Sequence, residues 1–349
     1  MIQTYLPLLA EQPAYDGHPA KLVTLVNANG MRLLFMDIGA TWLSCQVPVE
    51  GDLREVLLGV SSMEAFQKQT SYLGATVGRY ANRIANSQFE LDNITYHVTA
   101  NQGKNCLHGG LEGWSHLRWK ITILSEQSVR FTIDSEDGDQ GFPGHIVANM
   151  TVVLTDDNEV RLDYHATTDA KTPINMTNHA YFNLMGAESG ATVLDDTLCI
   201  HAQQYLPTTD MGIPLASGLT DVAGTSFDFR EPTVIGSRLL ADEQQKLVKG
   251  YDHSYFLGNP TLDNPVATLT AADGAVSVNV FTDKPAVQLY TGNWLEGTPN
   301  RVGGVYHDYH GVALETQFLP DSPNREWPHQ SCYLEPNDEY HFTTVYQFC

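Results

Sequence analysis

Two separate segments of this 349-residue chain each carry a side chain that can transfer protons at neutral pH. His179 lies in Asn-Met-Thr-Asn-His-Ala-Tyr-Phe-Asn-Leu (175–184), and Glu315 lies in Ala-Leu-Glu-Thr-Gln-Phe-Leu-Pro-Asp-Ser-Pro-Asn (313–324). A carboxylate and an imidazole form a natural acid–base pair, because one can accept a proton while the other donates one. Glu315 follows a nearly apolar run, so it needs either a partner or a chemical role. His179 alone is equally consistent with a hydrogen-bonded core histidine.

Two further segments place polar side chains beside small residues, which allow a ligand to come close. Asn82 and Arg83, within residues 78–86, offer hydrogen-bond donors to a polyhydroxylated ligand, although charged side chains in such a segment are more often simply solvated. His108 precedes two glycines, so the backbone there can approach a ligand, but a loop histidine that bonds only to backbone is an equal alternative. Cys106 is more consistent with packing than with a nucleophile.

Three other polar side chains lie in apolar or aromatic surroundings. Period-two alternation around His179 predicts a strand with Tyr181 on the same face. Asp252 lies among aromatic residues, where a carboxylate can accept two sugar hydroxyls, but a turn aspartate is an equally good interpretation. Gln288 lies in a predicted apolar strand and needs partners if it is buried.

Spacing disfavours several other chemistries. His108, His179, Asp252 and Glu315 have metal-ligating side chains, but no two of them show the close spacing that usually builds half of a metal site. The chain contains no Gly-x-Ser-x-Gly, no phosphate-loop and no dinucleotide-binding pattern, which argues against acyl transfer and nucleotide chemistry. We therefore expect neither a metal nor a cofactor.

Composition argues against several classes of binding partner and indicates the cellular compartment. Lys and Arg number 19 against 41 Asp and Glu, and the net charge of −22 disfavours binding to nucleic acid or to acidic membranes. No apolar stretch is long enough to cross a bilayer, and the N-terminal residues lack the basic start and apolar run of a signal peptide. Five scattered cysteines show no disulfide or metal spacing. We expect a cytoplasmic protein with free thiols, and the sequence does not indicate an oligomeric state.

Short strands separated by turn residues dominate the pattern. The predicted hairpins pair Leu22–Val26 with Met31–Met36, Val147–Leu154 with Val160–Ala166, and Ala267–Thr270 with Val276–Phe281. Two helices are predicted, at Ser62–Gln69 and at Ile235–Lys249, the second ending in a left-handed cap at Gly250. Because strands do not alternate with helices and no linker interrupts the chain, we predict one large antiparallel β-sandwich.

Seven ordered segments together resemble the aldose 1-epimerase (galactose mutarotase) family, most closely its bacterial sugar-operon type. They read Gly-Arg-x-Ala-Asn-Arg-Ile-Ala, Leu-His-Gly-Gly, Asn-Met-Thr-Asn-His-x-Tyr-Phe-Asn-Leu, Ala-Gly-Thr-Ser-Phe-Asp-Phe-Arg, Tyr-Asp-His, Val-Gln-Leu-Tyr-Thr-Gly-Asn and Leu-Glu-x-x-Phe-Leu-Pro-Asp-Ser-Pro-Asn. The segments lie between Gly78 and Asn324, and the resemblance covers about Leu22 to Phe348. The resemblance implies an all-β, galactose mutarotase-like supersandwich with a few short helices, forming a single domain over residues 1–349. It also implies an enzyme that interconverts the α and β anomers of free hexoses, such as D-galactose and D-glucose, without a cofactor.

The same resemblance implies a role for each motif residue. Glu315 is expected to remove the proton of the anomeric hydroxyl and His179 to protonate the ring oxygen. His108 is expected near the ring oxygen or the anomeric hydroxyl. The remaining hydroxyl groups are expected to be held by five side chains: Asn82, Arg83, Tyr181, Asp252 and Gln288.

The two catalytic roles predict a pH dependence. With ordinary pKa values of about 4.3 and 6.5, an ionised Glu315 and a protonated His179 coexist only in a mildly acidic window. A carboxylate near His179 is expected to raise the pKa of the imidazole and to extend this window towards neutrality. The rate is therefore expected to follow a bell-shaped curve against pH.

Two alternatives share the same fold. A sugar-binding module that had lost its chemistry would have lost Glu315 or His179, and this chain has both. An epimerase of hexose 6-phosphates would need extra cations for the phosphate dianion, and the low Lys and Arg content disfavours this reading.

Overall fold

Strands connected by turns make up most of the molecule. The computed structural model describes residues 8–328 and 331–349. Residues 8–11 are helical, and the other helices are α1 (Met63–Lys68), α2 (Glu243–Leu247) and 3₁₀ turns at Ala85–Ser87, Asp139–Gly141, Val193–Asp195, Ile235–Arg238 and Ser322–Asn324. The strands are β1 Leu22–Val26, β2 Arg32–Met36, β3 Thr41–Val49, β4 Asp52–Glu55, β5 Thr76–Val77, β6 Arg83–Ile84, β7 Gln88–Leu91, β8 Ile94–His97, β9 Cys106–Leu107, β10 Lys120–Ser125, β11 Ser128–Ser135, β12 Ile146–Leu154, β13 Glu159–Thr168, β14 Thr172–Pro173, β15 Thr177–Asn178, β16 Tyr181–Phe182, β17 Thr197–Ile200, β18 Gln204–Leu206, β19 Thr220–Asp221, β20 Thr233–Val234, β21 Asp252–Phe256, β22 Ala267–Thr270, β23 Ser277–Thr282, β24 Ala286–Tyr290, β25 Val312–Gln317, β26 Tyr333–Leu334 and β27 Tyr340–Phe348.

The two largest sheets pack against each other. The nine-stranded sheet has the order β10-β11-β12-β13-β27-β23-β22-β17-β20, and the six-stranded sheet has the order β16-β25-β24-β21-β18-β19. Paired strands within both sheets are antiparallel. β25 contacts β27 across the interface, because Thr316 Oγ1 lies 2.5 Å from Thr344 Oγ1 and Tyr346 Oη donates to the Leu314 carbonyl at 3.1 Å. The predicted all-β antiparallel sandwich is confirmed.

Residue alternation along the strands builds the core between these sheets. β12 alternates buried and half-buried residues along its whole length, as expected of side chains that point to opposite faces of a sheet. The main cluster of buried apolar side chains includes Trp42, Phe182 and Tyr346, and the ring centroids of Phe182 and Tyr346 lie 5.2 Å apart. The predicted hairpin strands are all present: β1 and β22 have the predicted bounds, and the other four strands begin and end within two residues of them.

The predicted long helix over Ile235–Lys249 is wrong. The segment forms a 3₁₀ turn and then the short helix α2, which begins anew because the Asp242 side chain accepts a hydrogen bond from the Gln244 backbone N–H. Lys249, with φ 58°, adopts the left-handed conformation near that helix end, whereas φ of Gly250 is 149°. The short helix predicted at Ser62–Gln69 is confirmed as α1. No helix in residues 8–328 or 331–349 has the length and apolar character needed to span a membrane.

Candidate active site

A cavity of about 390 Å³ brings together most of the polar residues selected from the sequence. Its volume lies within the range of about 300–1,000 Å³ that is usual for small-molecule sites. Seven of the eight predicted site residues line it: Asn82, Arg83, His108, His179, Tyr181, Asp252 and Glu315. The other lining residues are Thr70, Ser71, Tyr72, Gln102, Leu107, Asp210, Gly212, Val248, Tyr290 and Trp294.

Glu315 lies on β25, an interior strand of the six-stranded sheet, and its side chain faces this cavity. β25 lies between β16 and β24, and Glu315 pairs in register with Gln288. Alternation sends neighbouring side chains to opposite faces, so Thr316 contacts β27 while Glu315 faces the cavity. Only 2% of Glu315 is exposed, and its Oε2 atom has no hydrogen-bond partner in the described part of the chain. A buried carboxyl of this kind is available to a ligand.

His179 lies at a break between two short strands. The single strand predicted around it is instead two, β15 and β16, which pair with β5 and β25 respectively. The backbone N–H of His179 donates to the Ala75 carbonyl at 2.8 Å, so the residue is held although it lies outside a strand. Its ring stacks on that of Tyr181 at a centroid distance of 4.9 Å, so the two side chains lie on the same face of the chain, as predicted. His179 Nε2 lies 3.5 Å from Glu315 Oε1, so the acid–base pair meets in space.

Burial dominates the electrostatics of this pair. It raises the pKa of Glu315 to about 8, with a further contribution from Asp252 and an opposing one from Arg83. It lowers the pKa of His179 to about 4, so the expectation of a raised imidazole pKa is wrong. Loss of hydration around the imidazolium is the main cause, and the positive charge of Arg83 adds to it. Glu315 is still protonated where His179 titrates, so it carries no charge that would raise the pKa of the imidazole.

The two shifts together define a proton count. Two groups in such close contact titrate as a unit, and between about pH 4 and about pH 8 the pair holds one proton in total. Ordinary pKa values would end this interval at about pH 6.5. The window reaches neutrality because the pKa of Glu315 rises, and not because that of His179 does.

His108 presents a fixed hydrogen-bond donor to the cavity. Its Nδ1 accepts a hydrogen bond from the Asn82 backbone N–H at 3.2 Å, so in the neutral ring the proton must lie on Nε2. Burial, with His179 and Arg83 nearby, holds the pKa of His108 well below its usual range and keeps the ring neutral. His108 adopts φ 52°, and the edge contact with the Tyr72 ring has a centroid distance of 4.7 Å.

Arg83 and Asp252 form a polar surface of the cavity, and hydrogen bonds with neighbouring glutamines hold both side chains in place. Arg83 Nη2 lies 3.6 Å from Asp252 Oδ2, and Arg83 Nε donates to Gln102 Oε1 at 2.9 Å. Gln288 Nε2 donates to Asp252 Oδ1 at 2.6 Å, while Gln288 Oε1 accepts from the Ser254 hydroxyl. Gln288 is absent from the residues lining the cavity and lies behind Asp252. Its amide positions the Asp252 carboxylate, and its expected contact with the sugar stays a prediction.

Distant motifs are linked by hydrogen bonds that orient the site. Asp321 lies in the Leu-Pro-Asp-Ser-Pro-Asn segment; its backbone N–H donates to the Arg83 carbonyl at 2.9 Å, and its carboxylate accepts from the Ala85 N–H at 2.9 Å. Asn175 Oδ1 accepts from the Phe318 N–H at 3.1 Å, which connects the His179 segment to the end of β25. The polar residues around the predicted site residues therefore hold segments far apart in sequence in one arrangement.

Several lining residues were missed in the sequence. Tyr72 stacks on His179 at a centroid distance of 5.9 Å, and Trp294 is 60% exposed with Lys249 Nζ 4.2 Å from its ring centroid. Trp294 directly follows the Val-Gln-Leu-Tyr-Thr-Gly-Asn segment, which could have drawn attention to it. Tyr72 and Asp210 lie in turns with no distinguishing local pattern.

The donor atoms of His108, His179 and Glu315 lie within 4.8 Å of one another, a proximity that sequence spacing did not reveal. A metal-bound histidine usually donates its second ring N–H to an acceptor. The second ring nitrogen of His108 instead accepts a hydrogen bond from the Asn82 N–H, which places the proton on the nitrogen that a cation would need.

Cys106 is buried and its pKa is raised to about 12 by burial, so it is a thiol and fits the packing interpretation.

Comparison with known proteins agrees with this geometry. A family model described as aldose 1-epimerase matches residues 21–347. The aldose 1-epimerase of Escherichia coli (strain K12) is 48% identical over 346 residues, covering 98% of this chain and 99% of that protein. The galactose mutarotase of Homo sapiens is 36% identical over 301 residues, covering 86% of this chain and 85% of that protein.

Solved structures show the same architecture. An aldose epimerase homologue from C. elegans superposes with a TM-score of 0.86 at 26% identity, covering 95% of this chain and 99% of the other. Galactose 1-epimerase from Lactobacillus acidophilus NCFM gives a TM-score of 0.80 at 29% identity, covering 95% and 98%. The matches in sequence and in fold extend over nearly the whole chain. This chain therefore belongs to the aldose 1-epimerase family.

Proposed function

We propose that this protein is an aldose 1-epimerase, an isomerase that interconverts the α and β anomers of free hexoses such as D-galactose and D-glucose. The observation that carries the proposal is the 3.5 Å contact between His179 Nε2 and Glu315 Oε1 inside a cavity lined by polar side chains. Family membership over residues 21–347 supports the same activity and supports a single-domain interpretation.

The reaction needs one base and one acid. Glu315 removes the proton of the anomeric hydroxyl while His179 gives a proton to the ring oxygen, so the bond between C1 and the ring oxygen breaks and an aldehyde forms. Rotation about the C1–C2 bond presents the other face of the carbonyl, and the reverse proton transfers close the opposite anomer. General acid and general base catalysis each contribute about 10²–10⁴-fold.

The proton count of the pair matches this cycle. Ionised Glu315 with protonated His179 holds one proton, the same number as the neutral pair that burial favours near pH 7. The two forms therefore differ only in where the proton lies. Sugar hydroxyls that donate hydrogen bonds to the carboxylate favour its ionised form and so favour the working arrangement.

The remaining side chains suit a neutral polyol. Asp252 can accept hydrogen bonds from sugar hydroxyls, Asn82 and Arg83 can donate to hydroxyl oxygens, and the Nε2–H of His108 is a donor suited to the ring oxygen or the anomeric hydroxyl. Tyr181 supplies a further hydroxyl. Gln288 acts through Asp252, whose carboxylate it holds at 2.6 Å.

A hexose 6-phosphate fits this cavity less well. Among the lining residues in the described part of the chain, Arg83 is the sole lysine or arginine, and it already faces Asp252. Asp210 and Asp252 add negative charge that repels a phosphate dianion. We therefore expect D-glucose to react faster than D-glucose 6-phosphate.

Polarimetry on freshly dissolved α-D-glucose or α-D-galactose tests the proposal. The wild-type protein is expected to accelerate the approach to anomeric equilibrium, and Glu315→Gln and His179→Asn are each expected to lose about 10²-fold or more of that acceleration. Glu243→Gln, at an exposed position on α2, serves as the matched carboxylate control and is expected to retain wild-type activity. A catalytic variant that kept most of the rate would show that its role is assigned wrongly.

A further inference from the structure

A lysine is buried completely in this protein, outside the cavity. Lys284 lies in the turn between β23 and β24, and none of its surface is exposed. Lysine side chains are almost never fully buried unless they are paired, because removing an ammonium from water is costly. Burial lowers the pKa of Lys284 to about 7, and the neighbouring Asp283 opposes this only in part. The position therefore calls for contacts that compensate for lost hydration.

Those contacts are one carbonyl, one hydroxyl and three aromatic faces. Lys284 Nζ donates to the Met176 carbonyl and, at 2.8 Å, to Tyr340 Oη. It also lies 4.9 Å from the ring centroid of Tyr164, 5.4 Å from that of Tyr340 and 5.5 Å from that of Phe342, distances at which an ammonium is attracted to an aromatic face.

Lys284 and Tyr340 both hydrogen-bond to the backbone of Met176, and we refer to these two side chains as the Met176 clamp. While Lys284 binds the Met176 carbonyl, Tyr340 Oη accepts the Met176 N–H at 3.0 Å. Met176, three residues before His179, is thus held at both its backbone N–H and its carbonyl.

His179 is sensitive to this anchoring because of where it lies. It follows β15 (Thr177–Asn178) immediately, and only His179 and Ala180 separate β15 from β16. A shift of the backbone at Met176 would therefore move the imidazole relative to Glu315, and the 3.5 Å contact between them leaves little tolerance. A misplacement of about 1 Å at a reacting group can cost about 10²-fold in rate.

We propose that Lys284 is a positioning residue for catalysis: through the Met176 carbonyl it holds the segment that aims His179 at Glu315 and at the sugar. The inference rests on the proposed anomer interconversion. Lys284 is not among the residues that line the cavity, so its effect belongs to the chemical step more than to binding.

Steady-state polarimetry on α-D-glucose with Lys284→Met is the first test. Methionine keeps the length and apolar stem but removes the donor. We expect kcat to fall by about 10-fold or more while KM changes by less than about 2-fold, since the hydroxyl contacts stay in place. Asp196→Asn is the control. The buried Asp196 carboxyl, just before β17, accepts the Ala272 N–H just after β22, so the variant alters a buried polar contact without touching the site.

Tyr340→Phe keeps the test decisive if Lys284→Met does not fold. It removes the other half of the Met176 clamp, and we expect a fall in kcat with unchanged KM. In the double variant the loss should be smaller than the product of the two single losses, because both act on one backbone unit. Folded variants with lower melting temperatures but wild-type kcat would overturn the inference. A wild-type protein without mutarotation activity would overturn the proposed function instead.

Discussion

The strongest quantitative consequence of the structure is that Glu315 makes stability depend on pH. Its pKa is raised from the usual 4.5 to about 8 in the folded chain. Between these values the folded state keeps a proton that the unfolded state has released, so folding becomes less favourable as pH rises through this range. Glu315→Gln removes the titration while keeping a side chain of nearly the same shape.

The magnitude follows from linkage. Each pH unit within the interval changes the free energy of unfolding by about 1.4 kcal/mol, so between about pH 5 and about pH 8 the wild-type protein should lose about 3 kcal/mol more than Glu315→Gln. His179 contributes with the opposite sign, because its lowered pKa makes the folded state more stable as pH rises from about 4 towards 6.5. That contribution is present in both proteins and largely cancels in the difference.

Urea unfolding of both proteins at about pH 5, 6.5 and 8 measures this difference through the midpoints and slopes. Glu243→Gln, which changes an exposed carboxylate, should follow the wild-type curve at all three pH values. Parallel pH dependence of the wild-type protein and Glu315→Gln would refute the reasoning. It would mean that Glu315 ionises near its ordinary pKa and that the one-proton window does not extend to neutrality.

Two further results are expected. The rate of anomer interconversion should follow a bell-shaped curve against pH, with midpoints at about pH 4 and about pH 8; a level rate between pH 5 and pH 9 would contradict this. Asp252→Asn should move the upper midpoint to lower pH, because Asp252 helps to raise the pKa of Glu315. Gly250→Ala should lower the free energy of unfolding, measured with urea, by about 1–3 kcal/mol, because a Cβ there would lie 2.4 Å from Asn293 Oδ1. Gly297→Ala is the control: Gly297 has φ 81° and a Cβ there would have nothing within 4 Å, so the loss of stability should be smaller. Equal losses in the two variants would rule out the steric cause.

Local chemistry made much of the fold predictable. Asn29-Gly30, between β1 and β2, and Asp273-Gly274, between β22 and β23, are turn dipeptides that indicated two of the predicted hairpins. The strands lie where expected because turn geometry depends on only a few adjacent residues. The prediction of one helix over Ile235–Lys249 was wrong because the Asp242 side chain caps a new helix and so divides the segment. The continuous strand around His179 was wrong for a related reason: it pairs first with β5 and then with β25, which are distant in sequence.

The sequence by itself determined which side chains can do chemistry, the all-β class and, through ordered motifs, the resemblance to the family to which the chain belongs. The assignment of one domain over residues 1–349 and the individual roles of the site residues stay predictions. Only the tertiary structure decided that Glu315 and His179 meet, that Gln288 braces Asp252 from behind, and that burial moves the two pKa values apart. The physical reason is that contact and desolvation depend on every segment packed around a group, whereas residue type and turn geometry are local properties.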